Sequence, residues 1–297
     1  MSLFIHQIFL AIAEYESFTQ AAAALHLTPP AVSHAVSRME RLYGLRLFVR
    51  DRNGAQLTEE GKKLLPHMRA ILNAEERLNQ EISRARGLDA GIVRIGTFNS
   101  ACSNWIPDIV MTFREKHPNI EMFIYQGGYG DILGWLRSGF TDMGFLSLTV
   151  EDVHDLDITP ICRDQMICVA HKDFAPQIPG CITKQDIERQ SLVALREGYD
   201  DEANAILQRW GIHIRSGFSV ENDDSIIALV ESGFGLSILP ELVLARISHN
   251  AAVYPLHPPQ HRIIGLATVK RRPMSVAAEK MRGHILELLQ DKELSGV

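Results

Sequence analysis

The sequence contains no long apolar run and little cysteine. No segment approaches the roughly 20 consecutive apolar residues that a helix needs to cross a bilayer, and Glu14 and Glu16 interrupt the apolar stretch near the start of the chain. We therefore expect neither a membrane span nor a signal peptide, and we expect a cytoplasmic location. The 4 cysteines among 297 residues are too few for a disulfide framework and lack the spacing of zinc ligands.

Motifs typical of catalysis are also absent. Residues 127–130 (GGYG) match neither a dinucleotide-binding fingerprint nor a phosphate loop, and the sequence has no Gly-x-Ser-x-Gly nucleophile elbow. His257 and His261 are spaced like metal ligands but have no acidic or cysteine partner, so we expect them in a loop. We predict that the protein is not an enzyme and holds no metal or cofactor.

Positive charge is concentrated in one short segment. The chain carries a net charge of −6, but residues 33–56 contain five arginines against Glu40 and Asp51, which gives this segment a net charge of +3. A local basic stripe on an acidic protein favours selective contact with nucleic acid over a general affinity for polyanions.

Three short helices are predicted before this basic segment ends. Apolar residues recur at helical spacing from Ile5 to Ile12, and Ser17 opens a capping box with Gln20 before an alanine-rich second helix. Thr28 is suited to cap a third helix. The two prolines after it fit the first turn, because the N–H groups of a first turn have no partner within the helix and their absence costs nothing. The pattern indicates a helix-turn-helix.

The third helix has two distinct faces. Val32, Val36 and Met39 form an apolar stripe. The opposite face carries Pro30, Ser33, His34, Ser37, Arg38 and Arg41. Short polar side chains and arginines can reach base edges and phosphates in a major groove, although an ordinary solvated helix face would have a similar composition. Gly44 is predicted to end the helix.

A short hairpin is predicted directly after this helix. Residues 45–48 and 55–57 flank the segment DRNG, in which Asn-Gly is a strong turn signal. Arg50 and Arg52 lie in this ribbon. A basic ribbon at this position is typical of a wing that contacts the phosphate backbone or the minor groove.

Four motifs, taken in order, resemble the winged helix-turn-helix of LysR-type transcriptional regulators. They are residues 17–22 (SFTQAA), 30–33 (PAVS), 47–50 (LFVR) and 57–61 (LTEEG). The resemblance implies a regulator that binds double-stranded promoter DNA. The expected DNA-binding residues are Thr28, Pro30, Ser33, His34, Ser37, Arg38, Arg50 and Arg52. Pro29 and His34 depart from the residues common in the family, Gln and Arg, so individual base contacts are not carried over.

A long fourth helix is predicted from the Thr58 cap to about Arg86. Leu64, Met68, Ile71, Leu78 and Ile82 follow steps of four and three, with Glu75 interrupting the series. This seam could pack onto its own domain, but the family resemblance assigns the helix to dimerisation. Residues 87–91 are expected to form a linker.

The remaining two thirds of the chain alternate predicted strands and helices, which favours βαβ units and a parallel sheet. The pattern resembles the two-lobed type 2 periplasmic-binding-protein fold that LysR-type regulators use for effectors. We thus predict a mainly α winged helix-turn-helix with a long linker helix, followed by a two-lobed α/β effector-binding domain. The expected domains are residues 1–58, 59–90 and 91–297, with lobe 1 at about 91–161 and 267–297 and lobe 2 at about 162–266.

Ligands of open α/β sheets bind outside the carboxyl ends of the strands. The effector-binding residues expected on this rule are Thr97, Phe98, Asn99, Ser100, Gly128, Tyr129, Phe145, Ser147, Arg196 and Asn222. Three of these residues, Thr97, Asn99 and Ser100, could instead cap a helix, and the two phenylalanines could belong to the core. Arg196 could pair with its neighbour Glu197, but if it faces the cleft an anionic effector is favoured.

The sequence therefore favours an effector-responsive regulator that forms a homodimer or homotetramer, and that contacts RNA polymerase if it activates transcription. One alternative is a thiol switch formed by Cys162 and Cys168, and a less favoured one is a solute-binding protein with the same two-lobed fold.

Overall fold

The computed structural model describes residues 3–51, 54–85, 90–148, 153–195, 201–212, 219–220, 222–246 and 250–295. The chain divides into two compact units, Met1–Gly91 with Arg137–Phe140, and Ile92–Leu136 with Thr141–Val297. Within the described residues, no helix combines the length and the apolar character that a membrane span requires.

The first unit contains four helices and a hairpin. The elements are α1 (Phe4–Tyr15), α2 (Phe18–Ala24), α3 (Pro29–Tyr43), β1 (Phe48–Asp51), β2 (Gly54–Leu57) and α4 (Glu59–Ala85). The predicted caps are present, because Ser17 Oγ accepts a hydrogen bond from the N–H of Gln20 at 3.3 Å and Thr58 Oγ1 accepts one from the N–H of Gly61 at 3.0 Å. Gly44 ends α3 in the left-handed conformation, with φ of 67°.

The core of this unit joins the helices to the hairpin. The predicted apolar stripe of α3, from Val32 to Met39, is buried. Phe48, at the start of β1, packs against Phe9 of α1 with ring centroids 5.1 Å apart, and against Phe18 at 5.8 Å. The first strand of the wing is thus part of the same hydrophobic core as the helix-turn-helix.

The second unit is an α/β domain. Its first elements are β3 (Gly91–Thr97), α5 (Asn99–Asn104), α6 (Ile106–Lys116), β4 (Ile120–Gln126), α7 (Tyr129–Ser138), β5 (Met143–Ser147) and β6 (Leu156–His171). There follow β7 (Ile182–Thr183), α8 (Lys184–Glu188), β8 (Ala194–Leu195), α9 (Asp201–Arg209), β9 (Ser219–Val220), α10 (Asp223–Glu231), β10 (Ser237–Pro240), a 3₁₀ turn (Glu241–Arg246), β11 (Ala251–Val269) and α11 (Val276–Ser295).

Two long antiparallel strands, β6 and β11, run through both lobes. The main sheet has the order β10-β6-β11-β5-β3-β4. Leu156 and Ile161 of β6 belong to the core of the first lobe, whereas Met166 and Cys168 of the same strand belong to the core of the second. Because the two cores share these strands, the predicted two-lobed α/β architecture is confirmed.

One helix prediction is confirmed and one loop prediction is wrong. The apolar spacing over residues 105–115 predicts a helix, and α6 runs from Ile106 to Lys116 with Pro107 in its first turn. Proline favours a helix start because it has no N–H to pair there. His257 and His261 were expected in a loop, and this expectation is wrong because both lie on β11. The prolines between them lie where the register of β11 shifts against β6, which obscured the alternating pattern of a strand.

Candidate DNA-binding surface and effector cleft

The start of α3 is built from Thr28 and two prolines. Thr28 Oγ1 accepts a hydrogen bond from the N–H of Ala31 at 3.4 Å, and Pro29 and Pro30 occupy the first two helical positions. The N–H of Val32 donates a hydrogen bond to the carbonyl oxygen of Thr28 at 3.2 Å. The first turn therefore exposes proline rings and a capped backbone.

Most of the predicted DNA-binding residues lie on one face of the first unit. Thr28, Pro30, His34, Ser37 and Arg38 are exposed and Ser33 is half-buried, as is expected opposite the buried stripe. Arg50 belongs to β1, where its backbone pairs with Ala55, but the structure does not describe its side chain. Arg52 lies outside the described residues. The roles of all these residues stay predictions.

The predicted seam of α4 is divided between the core and the surface. Leu64 is half-buried and Met68 is buried with the core of the first unit. Beyond them, Ile71, Leu78 and Ile82 are 40%, 60% and 41% exposed. The second half of α4 thus presents an apolar row that the single chain leaves uncovered.

The carboxyl end of β3 holds several predicted effector residues. Thr97 is fully buried, and its hydroxyl donates to the carbonyl oxygen of Phe98 at 3.2 Å. No side chain caps α5, whose N-cap residue is Phe98, so the capping alternative for Thr97, Asn99 and Ser100 finds no support. Asn99 instead donates through Nδ2 to Asp223 Oδ2 at 2.8 Å and accepts from Gln126 Nε2 at 3.0 Å.

A buried arginine organises this region, and the sequence analysis missed it. The side chain of Arg262, on β11, is 0% exposed. Its Nε and Nη2 donate to Asp164 Oδ2 at 2.9 and 2.8 Å. Nη2 also donates to Ser100 Oγ at 2.8 Å, and Nη1 donates to the hydroxyl of Tyr129 at 3.3 Å. The guanidinium lies 5.0 Å from the centroid of the Phe98 ring. Three predicted effector residues are therefore held by one side chain.

Asp164 is the charged partner that makes this burial possible. It faces Arg262 directly across the β6–β11 pair. Burial raises the pKa of Asp164 above its ordinary value, and the charge and hydrogen bonds of Arg262 oppose that rise. The N–H of Leu242 also donates to Asp164 Oδ1 at 3.1 Å.

Further polar contacts connect the two lobes. The hydroxyl of Tyr129 reaches Glu202 Oε1 of α9 at 3.4 Å, which is a long hydrogen bond. Asn104 Nδ2 donates to the carbonyl oxygen of Leu242 at 2.8 Å. With the Asn99–Asp223 hydrogen bond, these contacts place the end of β3 beside α9 and α10.

The other predicted effector residues lie in different environments. Phe145 is fully buried 5.4 Å from the ring of Trp105, and Ser147 is also fully buried at the end of β5. The N–H of Gly128 donates to Asp131 Oδ2 at 3.0 Å. Asn222 is exposed and caps α10, because its Oδ1 accepts from the N–H of Ser225 at 2.8 Å. Arg196 lies outside the described residues.

The geometry of β6 counts against the thiol-switch alternative. Cys162 and Cys168 lie six residues apart on this strand, which at about 3.3 Å per residue separates their Cα atoms by roughly 20 Å. A disulfide needs Cα atoms within about 7 Å of each other. Burial raises the pKa of Cys168, so its thiol is poorly reactive. A bond between the two cysteines would require β6 to break.

Comparison with known proteins covers both units. A family model described as "Bacterial regulatory helix-turn-helix protein, lysR family" matches residues 6–62, and one described as "LysR substrate binding domain" matches residues 86–290. The chain is 30% identical over 276 residues to the "Uncharacterized HTH-type transcriptional regulator YvbU" of Bacillus subtilis (strain 168), an alignment that covers 92% of this chain and 94% of that protein.

Solved structures share the fold at lower identity. A full-length OxyR variant from Pseudomonas aeruginosa matches with a TM-score of 0.74 and 19% identity, covering 98% of this chain and 95% of that one. Full-length CbnR in complex with its target DNA matches with a TM-score of 0.65 and 20% identity, covering 96% and 99%.

Proposed function

Because this chain belongs to the LysR family of transcriptional regulators, we propose that α3 and the wing bind promoter DNA and that a small molecule bound between the two lobes changes how that DNA is held. The main support for DNA binding is the exposed face of α3. Its polar and basic residues, such as His34, Ser37 and Arg38, lie opposite a fully buried apolar stripe. That arrangement leaves them free to enter a major groove.

Each of the three expected domains has its own proposed function. Residues 1–58 form the DNA-binding domain, residues 59–90 the dimerisation helix, and residues 91–297 the effector domain. The exposed row Ile71, Leu78 and Ile82 supports a dimer through α4, because an equivalent row on a second chain can cover it. Dimers that pair again through their effector domains give a tetramer.

The effector site lies at the end of β3 between the lobes. Asn99, Ser100 and Tyr129 supply polar groups there, and the hydrogen bonds to α9 and α10 bring the second lobe within reach of the same ligand. The effector acts by binding one arrangement of the lobes more tightly than another. The preference for an anion rests on Arg196 alone.

The protein binds its effector without transforming it. This part of the proposal is supported by the transcriptional regulators to which the chain is similar. A regulator of this kind works beside the bacterial chromosome in the cytoplasm, and it contacts RNA polymerase if it activates.

A selection from a randomised double-stranded DNA library tests the DNA-binding half. The full-length chain is expected to enrich a sequence with two related half-sites, one for each α3 of a dimer. The Arg38→Ala variant should enrich it less, whereas Arg209→Ala, which removes an exposed arginine on α9, should behave as the wild type. Recovery of only random sequence by the wild type would overturn the proposal.

A further inference from the structure

One carboxylate joins the last turns of α3 to the wing. Glu40 Oε1 accepts hydrogen bonds from the backbone N–H groups of Leu47 at 2.8 Å and of Phe48 at 3.3 Å. The carbonyl oxygen of Glu40 also accepts from the N–H of Leu45 at 3.2 Å. Gly44, with φ of 67°, turns the chain so that residues 45–48, here called the wing root, pass back beside α3.

The opposite side of the wing root is attached to the start of α4. The carbonyl oxygen of Leu47 accepts from the N–H of Thr58 at 3.0 Å, and the Thr58 hydroxyl donates to the carbonyl oxygen of Arg46 at 2.7 Å. The returning strand has its own attachment, because the N–H of Ala55 donates to the carbonyl oxygen of Glu16 at 2.7 Å. Glu40 thus supplies a side-chain hydrogen-bonded contact between α3 and the wing root, beside the packing of Phe48 in the shared hydrophobic core.

We propose that Glu40 is a positioning residue for DNA binding, whose carboxylate fixes the wing at the distance from α3 that lets both contact the duplex together. This inference rests on the proposed DNA-binding function. Hydrogen bonds from N–H groups to a carboxylate are roughly twice as strong as neutral ones, so this joint is stiff. If the wing is already fixed in the free protein, less conformational entropy is lost when it binds DNA, and the affinity is higher.

The charge of Glu40 supports the same conclusion. It is one of two acids among the five arginines of residues 33–56. A negative charge there opposes the approach of phosphates and lowers the electrostatic part of the affinity. An acidic surface residue without a structural role would only weaken DNA binding. A carboxylate that holds the wing root in place offsets this loss of affinity by positioning the wing.

The salt dependence of DNA binding separates positioning from simple stabilisation. Each phosphate contact contributes about 0.9 to the slope of log K against log salt concentration. The sequence predicts Arg50 and Arg52 as phosphate contacts of the wing, so losing both would lower the slope by roughly 2 for each subunit. A variant that merely unfolds more easily lowers the active fraction and leaves this slope unchanged.

The experiment compares full-length Glu40→Gln and Glu40→Ala. Both variants remove the charge, but only glutamine keeps an oxygen that can accept from the two N–H groups. Binding is measured by fluorescence anisotropy between roughly 50 and 200 mM salt, on a duplex that the wild type has enriched from a randomised library. Circular dichroism at each salt concentration gives the folded fraction.

The expected result is a shallower salt slope for Glu40→Ala than for Glu40→Gln, with an unchanged base preference at the positions that α3 reads. Equal slopes, with weaker binding by Glu40→Ala that follows its folded fraction, would show a structural role alone and overturn the proposal. If the wild type enriches no sequence, the proposed DNA-binding function is overturned, and the role proposed for Glu40 is overturned with that function.

Discussion

Removing Arg262 should destabilise the effector domain strongly. The change Arg262→Met keeps much of the apolar stem but leaves Asp164 buried without its charged partner. It also removes donors from Ser100 Oγ and from the Tyr129 hydroxyl. Breaking a buried ion pair by removing one member costs about 3–5 kcal/mol, which is a large share of the roughly 5–15 kcal/mol that stabilises a typical domain.

A double variant identifies the source of the loss. Asp164→Leu combined with Arg262→Met removes both charges, and replacing a buried pair by apolar residues is often neutral or stabilising. We expect the double variant to recover most of the lost stability. Arg209→Met, on the exposed face of α9, is the control and should change stability by less than about 0.5 kcal/mol.

Urea unfolding followed by tryptophan fluorescence measures this effect. All 3 tryptophans, Trp105, Trp135 and Trp210, lie in the second unit, so their emission reports on that unit alone. A loss below about 1 kcal/mol for Arg262→Met, or a double variant as unstable as the single one, would show that the ion pair with Asp164 is not what stabilises the domain.

The pH dependence supplies a second check. Burial raises the pKa of Asp164 and Arg262 opposes the rise, so removing Arg262 raises the pKa further in the folded state. The folded variant then binds this proton more tightly than the unfolded chain does. Its stability deficit relative to the wild type is therefore full above the raised pKa and shrinks as the pH falls through it.

Three further predictions concern other parts of the chain. Gly61→Ala should lower the free energy of unfolding of the first unit by about 1–3 kcal/mol in thermal unfolding, because a Cβ there would overlap the carbonyl oxygen of Leu47; an unchanged melting temperature would contradict the packing. Leu78→Glu should shift the chain toward smaller species in sedimentation equilibrium, since it places a charge in the exposed row of α4; an undisturbed assembly would place the interface elsewhere. Peroxide treatment should produce no Cys162–Cys168 disulfide by mass spectrometry, and finding one would revive the thiol switch.

The sequence predicted the first unit well because its signals are local. Capping by Ser17 and Thr28, the apolar stripe of α3 and the glycine that ends it all act within one or two turns. The expectation of a two-lobed α/β domain also held, since strand and helix periodicities survive in short windows.

The organisation of the candidate sites could not be predicted in the same way. Arg262 and Ser100 are 162 residues apart in the chain, and no local pattern links them. The one signal available was Arg262 itself, a charged residue directly before the apolar run of β11. A charge buried at such a position needs a partner that neutralises it. Glu40 was counted among the charges of the basic stripe, but its contacts with the wing root depend on the turn at Gly44.

DNA binding by this protein is proposed to depend on the exposed face of α3. The most direct measurement is the affinity of the full-length chain for its selected duplex, compared among wild type, Arg38→Ala and Arg209→Ala at one salt concentration. We expect Arg38→Ala to lose about 1–3 kcal/mol of binding free energy, or roughly fivefold to 150-fold in affinity, while Arg209→Ala binds as the wild type does. Equal affinities for all three proteins would contradict it.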